Sequence, residues 1–224
     1  MNLERMIGKI IWGDCLEWMK RLPDKSVDLV LTDPPYGIGE SNEKNLSRGK
    51  KALPKNYGDY LWDIEKISKE YIDEIKRISK NQIIFGGNYY GEWLGDTSCY
   101  IVWDKDNGDN DFADCELAWT SFKSAVRKIT YRWNGMLQGN MKNKEIRQHP
   151  TQKPLPVMKW ILQNYSKPND LILDCFLGSG TTAVACVELG RRFIGIEREL
   201  KYCSIARKRV DAVARQGKLF TGQE

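Results

Sequence analysis

The sequence has few of the residues that build metal sites and disulfide frameworks. It contains a single histidine, His149, and its 6 cysteines are scattered without any pair at C-x-x-C spacing. Structural zinc sites need closely spaced Cys and His ligands, and disulfide-stabilised secreted domains space their cysteines as a framework. We therefore expect buried, reduced thiols, and we expect neither disulfides nor a metal site.

The sequence also lacks the long apolar runs of membrane proteins. It has no stretch of the roughly 18 consecutive apolar residues that a transmembrane helix needs. Its opening residues, MNLER, do not lead into the apolar core of a secretory signal peptide. We therefore expect a protein of the cytoplasm that has no membrane partner.

What the sequence does contain is an ordinary globular composition. The chain has 224 residues, of which 41% are hydrophobic and 29% are charged. This is enough for a sizeable buried core, and the chain is too apolar for wholesale disorder. The composition favours a single domain with room for a small insertion.

Positive charge is concentrated in one segment. The net charge of +5 is modest, but residues 121–147 hold seven Lys or Arg against one acid, Glu145, with aromatic residues between the cations. Cations neutralise phosphates while rings and amides reach bases, so this segment favours a nucleic-acid surface. The alternative is a solvated hairpin with an ordinary apolar underside. The predicted nucleic-acid contacts in this segment are Lys123, Arg127, Lys128, Arg132 and Trp133.

A short apolar run ends abruptly at an acid and two prolines. Residues 29–32 (LVLT) are β-prone, and the tetrapeptide DPPY follows at residues 33–36. Because proline stops strand pairing, Asp33 and Tyr36 should lie at the carboxyl edge of a strand, where open parallel sheets bind ligands. A carboxylate, rigidly held carbonyls and a flat ring suit an amino group on an aromatic heterocycle. The alternative is a turn in which Asp33 caps and Tyr36 packs.

A strand, a glycine turn and a helix follow one another later in the chain. The strand is LILD at residues 171–174, and the turn GSGTT at residues 178–182 opens the helix. Glycines let the backbone approach a ligand closely, and a helix N-terminus attracts an anion. The turn lacks the lysine of a P-loop, and Ala183 makes it at best the alanine variant of a dinucleotide fingerprint. The next strand ends in Glu197, an acid placed to bind ribose hydroxyls of a nicotinamide or S-adenosylmethionine cofactor.

Two further stretches have plain structural interpretations. Asp14 follows a predicted first strand at residues 8–12 and precedes a short helix, for which it would be a good N-cap. The hexapeptide HPTQKP at residues 149–154 forms a loop and the start of a helix over residues 155–165. His149 has no serine or cysteine partner that the sequence can supply, so we predict a structural role for it.

The three motifs together resemble a known family. The tetrapeptide DPPY, the hexapeptide HPTQKP and the pattern D-x-F-x-G-S-G-T-T that begins at Asp174, in this order, are similar to the β-group amino-methylating DNA methyltransferases. Those enzymes transfer methyl from S-adenosylmethionine to adenine N6 or cytosine N4. The resemblance runs from Lys9 to about Arg215 and implies a doubly wound, Rossmann-like α/β fold with a circularly permuted motif order. One departure is Cys175, where the family usually has proline, and it puts no functional group in doubt.

The resemblance also implies a role for each motif. The substrate would be double-stranded DNA with its target base flipped into a pocket. Adenine N6 is favoured because an acid leads the tetrapeptide, where cytosine enzymes typically carry serine. Asp14 would lie beside the cofactor's adenine, which competes on equal terms with helix capping, and HPTQKP would bind the methionine end. The implied catalytic residues are Asp33, Pro34, Pro35 and Tyr36, and the implied cofactor residues are Asp14, Thr151, Lys153, Asp174, Phe176, Gly178, Ser179, Gly180, Thr181, Thr182 and Glu197.

Two segments are predicted to serve the substrate within a single catalytic domain of residues 1–224. Residues 37–58 are rich in Gly, Ser, Asn and Lys, which is typical of a mobile binding loop or of a merely solvated one. Its predicted phosphate contacts are Lys44, Arg48, Lys50 and Lys51. Residues 104–148 are predicted to be a small basic insertion for target recognition.

Several alternatives stay open at this stage. A cytosine-N4 DNA methyltransferase and an RNA amino-methyltransferase would carry related motifs. A non-catalytic nucleic-acid-binding module would keep the pocket without the reaction, and a nicotinamide oxidoreductase would share the acid at Glu197. The family is bacterial or phage in type, and the sequence does not decide between a monomer and a homodimer.

Overall fold

Strands and helices alternate along the chain. The computed structural model describes residues 3–38, 66–108, 113–134 and 137–221. The strands are β1 (Lys9–Trp12), β2 (Val27–Thr32), β3 (Ser79–Phe85), β4 (Tyr100–Asp104), β5 (Cys115–Thr120), β6 (Arg127–Thr130), β7 (Trp133–Asn134), β8 (Leu137–Gln138), β9 (Leu171–Asp174) and β10 (Arg192–Glu197). The helices are α1 (Cys15–Met19), α2 (Lys69–Ile78), α3 (Gly91–Leu94), α4 (Leu155–Tyr165), α5 (Thr181–Glu188) and α6 (Leu200–Thr221), with short 3-10 turns at Leu3–Arg5 and Gly87–Tyr89.

Eight strands form one mixed sheet in the order β1-β10-β9-β2-β3-β5-β4-β6, and β7 and β8 form a separate hairpin. Neighbours from β1 to β3 run parallel, β5 runs antiparallel to β3 and β4, and β6 is parallel to β4. Because β5 alone runs the opposite way, its first residues lie at the edge where the other strands end.

The strand that precedes DPPY and the strand that precedes the glycine turn are direct neighbours. In the pairing of β2 with β9, Leu29 lies opposite Ile172 and Val30 opposite Leu173. The carboxyl ends of both strands therefore open onto one crevice, as expected for ligand sites in open α/β sheets. The permuted motif order that the sequence predicts thus brings the two motifs together.

Helices cover both faces of the sheet. Met19 of α1 and Ile75 of α2 belong to one buried cluster, and Ile161 of α4 and Ala206 of α6 belong to the other. Strand β2 contributes to both clusters, since Leu31 faces one and Val30 the other. Parallel strands that are buried on both faces have continuous apolar sequences, as β2 does. The helices on both faces of the sheet confirm the doubly wound α/β fold.

The structure corrects several boundaries. Apolar residues recur at helical spacing from Ile64 to Ile78 and predict a helix that starts at Asp63. The helix begins only at Lys69, because Ser68 is extended (φ −75°, ψ 162°) and occupies the N-cap position; residues 63–65 lie outside the described part. Residues 104–148 are not one insertion, because β5 and β6 within them are strands of the main sheet. All 6 cysteines are free, and Cys115 is exposed rather than buried.

No helix in the described part of the chain combines the length and apolar character that crossing a membrane requires.

Candidate active site

A cavity of about 660 Å³ opens at the carboxyl edge of the central strands. Asp33 and Pro35 of the tetrapeptide line it together with Glu197 at the end of β10. Ten of the eleven predicted cofactor residues line it as well: Asp14, Thr151, Lys153, Asp174, Phe176, Gly178, Ser179, Thr181, Thr182 and Glu197. The exception is Gly180.

Asp174, the last residue of β9, is hydrogen-bonded both to β2 and to the following helix, α5. Its carboxylate accepts hydrogen bonds from the Thr32 hydroxyl (2.8 Å), the Thr182 hydroxyl (2.6 Å) and the Phe176 N–H (3.1 Å). Burial raises the pKa of Asp174 to about 6, against the lowering effect of these donors. Because its oxygens already have protein donors, Asp174 fixes the shape of the crevice at the end of β9.

Glu197, at the end of β10, presents a second carboxylate to the cavity. It accepts the N–H groups of Gly178 (2.7 Å) and Glu199 (2.8 Å), one on each oxygen. Burial raises the pKa of Glu197 above its ordinary value, although these hydrogen bonds favour the charged form. A carboxylate oxygen has more than one acceptor site, so each can still accept a hydroxyl from a ligand.

Two aromatic rings form a further wall. Phe176 lies 6.1 Å from Tyr71 between ring centroids, and the Tyr71 hydroxyl donates to Asp14 at 3.0 Å. Asp14 also accepts the Leu16 N–H at 2.8 Å and so caps α1. Asp14 therefore serves as the predicted N-cap while lining the cavity. Tyr71 belongs to the apolar stripe at helical spacing over residues 64–78, which predicts a core face alone and gives no sign of a cavity.

The glycine turn is held from behind by the last helix. The Arg209 guanidinium donates to the Ser179 carbonyl (2.8 Å), the Ser179 hydroxyl (3.1 Å) and the Thr181 hydroxyl (3.2 Å). A Cβ at Gly180, where φ is +87°, would lie 2.7 Å from the Ala206 Cβ, so this glycine allows α5 and α6 to pack. The sequence of the last helix, with Leu200, Cys203, Ala206 and Val210 on one face, predicts Arg209 on the opposite, solvated face, and that prediction is wrong because its side chain is only 16% exposed.

On the catalytic side, Asp33 is the centre of a hydrogen-bonded group. The Tyr36 hydroxyl donates to one carboxylate oxygen, and the Lys153 ammonium lies 2.5 Å from the other. The Tyr90 hydroxyl donates to the Pro35 carbonyl, which fixes the turn. The Tyr36 ring stacks on Tyr89 at 4.9 Å and an angle of 15°. Pro34 and Tyr36 do not line the cavity itself.

The contacts of Lys153 differ from those that the sequence predicts. We predicted it at the methionine end of the cofactor, but its ammonium is drawn to two carboxylates, Asp33 at 2.5 Å and Glu116 at 3.1 Å. Glu116 in turn pairs with Lys105 at 2.8 Å. Sequence analysis missed Glu116, and the signal was available: it is the one acid in the strand segment CELAWT at residues 115–120.

His149 lines the cavity as a neutral ring. Its Nδ1 accepts the Thr151 N–H at 3.3 Å, and its ring meets that of Tyr202 edge-on at 4.2 Å. Burial, with smaller contributions from Lys153 and Lys201, lowers the pKa of His149 to about 3. The ring is therefore uncharged at neutral pH and shapes the cavity wall.

The structure separates the predicted nucleic-acid contacts into distinct groups. Lys44, Arg48, Lys50, Lys51 and most of the predicted mobile loop lie outside the described residues. Lys123 and Arg127 are exposed, whereas Lys128 pairs with Asp104 (3.0 Å) and Arg132 with Asp106 (2.6 Å).

The structure contradicts the prediction for Trp133. Its indole is only 8% exposed, because the hairpin packs this ring into the core and places the Arg147 guanidinium 4.5 Å from the ring centre. Phe122 and Tyr131 also pack against the core. The aromatic residues of the basic segment therefore form the apolar underside that was the alternative interpretation.

The cavity suits a nucleoside-type cofactor. Its volume lies in the range of ligand sites, Phe176 and Tyr71 offer a wall for a flat base, and Glu197 offers acceptors for hydroxyls. The N-terminus of α5, with Thr181 and Thr182, favours a carboxylate. Within the described ranges, no group of three or more His, Cys, Asp or Glu is arranged to hold a metal ion.

Comparison with known proteins agrees with this geometry. The family model described as DNA methylase matches residues 101–208. Type II methyltransferase M.HinfI of Haemophilus influenzae is 28% identical over 93% of this chain and 70% of its own length. Type II methyltransferase M2.MboI of Moraxella bovis is 29% identical over 89% of this chain and 86% of its own length.

Solved structures show the same architecture. The M1.HpyAVI–SAM complex superposes with a TM-score of 0.57 at 27% identity, covering 91% of this chain and 98% of that one. The cytosine-N4-specific PvuII DNA methyltransferase has a TM-score of 0.60 over 92% of this chain and 91% of its own, but at 14% identity it shows the fold alone. In its ordered motifs, its fold and its shared cavity, the chain is similar to the amino-methylating DNA methyltransferases, and one of these similar proteins is solved as a complex with SAM.

Proposed function

We propose that this DNA methyltransferase methylates the N6 amino group of adenine in a base flipped out of double-stranded DNA. The observation that carries the proposal is that Asp33 lines the same cavity as Phe176 and Glu197. An acceptor for an amino group and a site for a nucleoside therefore open onto one space. The choice of adenine over cytosine rests on the acid that leads the tetrapeptide.

The residues of the cavity divide between the parts of the cofactor. S-adenosylmethionine supplies an electrophilic methyl group on a sulfonium. Phe176, Tyr71 and Asp14 would flank its adenine, and Glu197 would accept its ribose hydroxyls. The methionine end would lie against the hexapeptide and the start of α5, held by Thr151, Gly178, Ser179, Thr181 and Thr182. Gly180 would serve this site only through the packing of α5.

The catalytic turn would orient the target amine. Hydrogen bonds from the amino group to Asp33 and to the Pro34 carbonyl would draw the nitrogen lone pair out of ring conjugation. Orientation of this kind can supply about 7–11 kcal/mol in well-aligned systems. One face of the Tyr36 ring already stacks on Tyr89, so stacking of the flipped base needs the other face or a shift of Tyr89.

The cavity offers no activated thiol for a covalent route. Cys15 and Cys175 line it, but burial raises the pKa of both thiols above the ordinary value, so they stay protonated. Direct attack by the amino nitrogen requires no protein nucleophile. The side chains of this chain therefore bind and orient the amine rather than forming a bond to it.

The exposed cations would contact the DNA backbone. Lys123 is exposed in the loop before β6 and Arg127 is exposed at the start of β6, whereas Lys128 and Arg132 would first have to exchange their acidic partners for phosphates. If these residues bind phosphates, DNA affinity should fall steeply with salt. A DNA substrate also implies work in the cytoplasm of a bacterial or phage-infected cell. Sedimentation of the complete chain distinguishes a monomer from a homodimer.

The proposal is tested by identifying the methylated nucleoside. Unmodified duplex DNA is incubated with the protein and S-adenosylmethionine that carries tritium in its methyl group, then digested to nucleosides. We expect label in N6-methyladenine. Label in N4-methylcytosine, or label transferred only to RNA in a parallel reaction, would contradict the proposed substrate. Cofactor binding without any transfer would indicate a non-catalytic binding module.

A further inference from the structure

Four side chains of alternating charge form a row along the carboxyl edge of the sheet, from Lys105 to Asp33. Lys105 lies 2.8 Å from Glu116, Glu116 lies 3.1 Å from Lys153, and Lys153 lies 2.5 Å from Asp33. The four side chains come from four different places in the sequence. Tyr36 completes the row by donating its hydroxyl to Asp33.

Sheet topology explains why these residues meet. Asp33 directly follows β2 and Lys105 directly follows β4, so both lie at the carboxyl edge. Glu116 is the second residue of β5, which runs the opposite way, and in register it lies opposite Trp103 near the end of β4. The reversal of β5 therefore brings an acid to the same edge.

The row is shielded from water. Side-chain exposure is 9% for Lys153, 18% for Asp33 and 22% for Glu116. Charges in such surroundings interact strongly, and removing one partner leaves the other uncompensated. Lys153 and Asp33 line the cavity, whereas Glu116 is not among its lining residues. Glu116 therefore acts on a bound base through its charged neighbours Lys153 and Asp33, which do line the cavity.

We propose that Lys153 and Glu116 are positioning residues that set the charge on Asp33. Lys153 holds Asp33 as a carboxylate, which is the form that accepts hydrogen bonds from an amine. Glu116 shares the Lys153 ammonium and so weakens its hold on Asp33, which leaves the carboxylate available to the target amine. The inference rests on the proposed role of Asp33 in orienting that amine.

The charged groups around Asp33 act in opposite directions. Burial raises the pKa of Asp33, Lys153 lowers it and Glu116 raises it. The resulting pKa of Asp33 is above its ordinary value. Burial alone would lower the pKa of Lys153, but Asp33 and Glu116 raise it. Lys105 and Lys153 hold the pKa of Glu116 below its ordinary value despite burial. Among the described residues, Tyr36 and, across the β2–β9 pair, Asp174 also face Asp33.

Two variants should move the pH dependence in opposite directions. Single-turnover methylation of duplex DNA is measured against pH for the wild type, Lys153→Gln and Glu116→Gln. Loss of a cation beside a carboxylate raises the pKa of that carboxylate by about 1–3 units. The fall of the methylation rate at acidic pH, which is the acidic limb of the pH–rate curve, should therefore move to higher pH by that amount in Lys153→Gln. In Glu116→Gln the limb should move to lower pH.

A lysine outside the site supplies the matched control. Lys159 lies on α4 and pairs with Glu188 at 2.7 Å, away from the cavity. Lys159→Gln removes the same charge and should keep the wild-type limb. A purely structural role for Lys153 would lower the rate at all pH values without moving the limb. An unchanged limb in both site variants, or the absence of any limb, would overturn the inference.

Folding and function are separated within the same experiment. Removal of one partner from a buried pair can prevent folding, because it leaves the other charge uncompensated. If circular dichroism shows that Lys153→Gln does not fold, the test rests on Glu116→Gln alone. An acidic limb that moves to lower pH in this variant supports the inference, and a limb at the wild-type pH overturns it. A wild type that makes no N6-methyladenine refutes the proposed function. A productive wild type with unmoved limbs refutes only the present inference.

Discussion

The ring of Tyr36 lies directly against Gly86, and this contact leaves no room for a side chain. A Cβ at Gly86, where φ is +66°, would come within 2.1 Å of the Tyr36 ring. Gly86→Ala must therefore displace the ring and, with it, the hydroxyl that donates to Asp33. Because a misplacement of about 1 Å can cost about 100-fold, we expect a loss of that order in the methylation rate, with cofactor affinity unchanged.

The control for this variant is a glycine with free space. Gly91→Ala introduces the same methyl group where nothing lies within 4 Å. Single-turnover rates and calorimetric titration of the cofactor should leave Gly91→Ala at the wild-type level. A Gly86→Ala protein with normal turnover would show that the position of Tyr36 is unimportant.

The raised pKa of Asp174 predicts how the stability of the fold changes with pH. Its pKa is raised from 3.8 to about 6, so the folded state holds the proton more tightly than the unfolded chain does. Its contribution to stability is therefore complete below about pH 4 and is lost as pH rises through about 6. Relative to Asp174→Asn, the free energy of unfolding of the wild type should fall by about 3 kcal/mol across this window.

Urea unfolding at several pH values measures this difference. Asp211→Asn, on the exposed face of α6, serves as the control for the loss of a carboxyl group away from the cavity. Parallel stability curves for Asp174→Asn and the wild type would contradict the assigned environment of Asp174.

Single residues were predictable where a local pattern carries the chemistry. Asp33 directly follows a strand, Asp174 and Glu197 each end one, and an acid at a strand's carboxyl edge can be found without a structure. Glu116 is recognisable as the one acid of its strand segment, but its partners and those of Tyr71 are distant in sequence, so the places of these two residues in the site could not be predicted. Lys153 lies in a recognisable motif, but which carboxylates it meets depends on the reversal of β5.

At the scale of elements, α6 supports the cofactor loop through one side chain. Arg209 binds Ser179 and Thr181, so its removal should loosen the turn before α5 while leaving the helix in place. Hydrogen bonds from a charged group contribute about 1.5–3 kcal/mol. We expect Arg209→Met to weaken S-adenosylmethionine binding by about tenfold or more, measured by calorimetric titration.

The neighbouring residue provides the comparison. Lys208 lies on the exposed face of the same helix, so Lys208→Met removes a charge of equal sign and should bind the cofactor normally. Equal affinities for the two variants would show that Arg209 has no part in shaping the loop.

Element types were easier to predict than their partners. The strand at residues 171–174 and the helix at residues 155–165 match the sequence pattern residue for residue. The segment 104–148 was assigned to an insertion because its charge dominates the sequence, whereas the buried residues Ala118 and Trp119 place β5 inside the sheet. Composition averages over a segment and so conceals a short buried strand within it.

At the scale of the whole molecule, one cavity is built from both ends of the chain. Residues from Gly13 to Tyr202 line it, so a ligand bound there should stabilise the entire fold. At a concentration about 100 times its dissociation constant, S-adenosylmethionine should add about 2.7 kcal/mol. For a domain of this size we expect the melting temperature to rise by about 5–10 °C.

The nicotinamide alternative is tested in the same melting experiment. NADH at matched concentration should leave the melting temperature unchanged. A rise with NADH and none with S-adenosylmethionine would contradict the assignment of the cavity. The overall fold was predictable because two of the three ordered motifs stand at the ends of buried strands, but the adjacency of β2 and β9 emerged only from the pairing.

The most direct measurement compares Asp33→Ala with the wild type in two assays on the same preparation. Calorimetric titration gives the affinity for S-adenosylmethionine, and transfer of tritiated methyl to duplex DNA gives turnover. If Asp33 directs the amine and does not hold the cofactor, affinity should stay within about twofold while transfer falls by at least about 100-fold. Substantial transfer by Asp33→Ala, or loss of cofactor binding equal to the loss of transfer, would contradict this assignment.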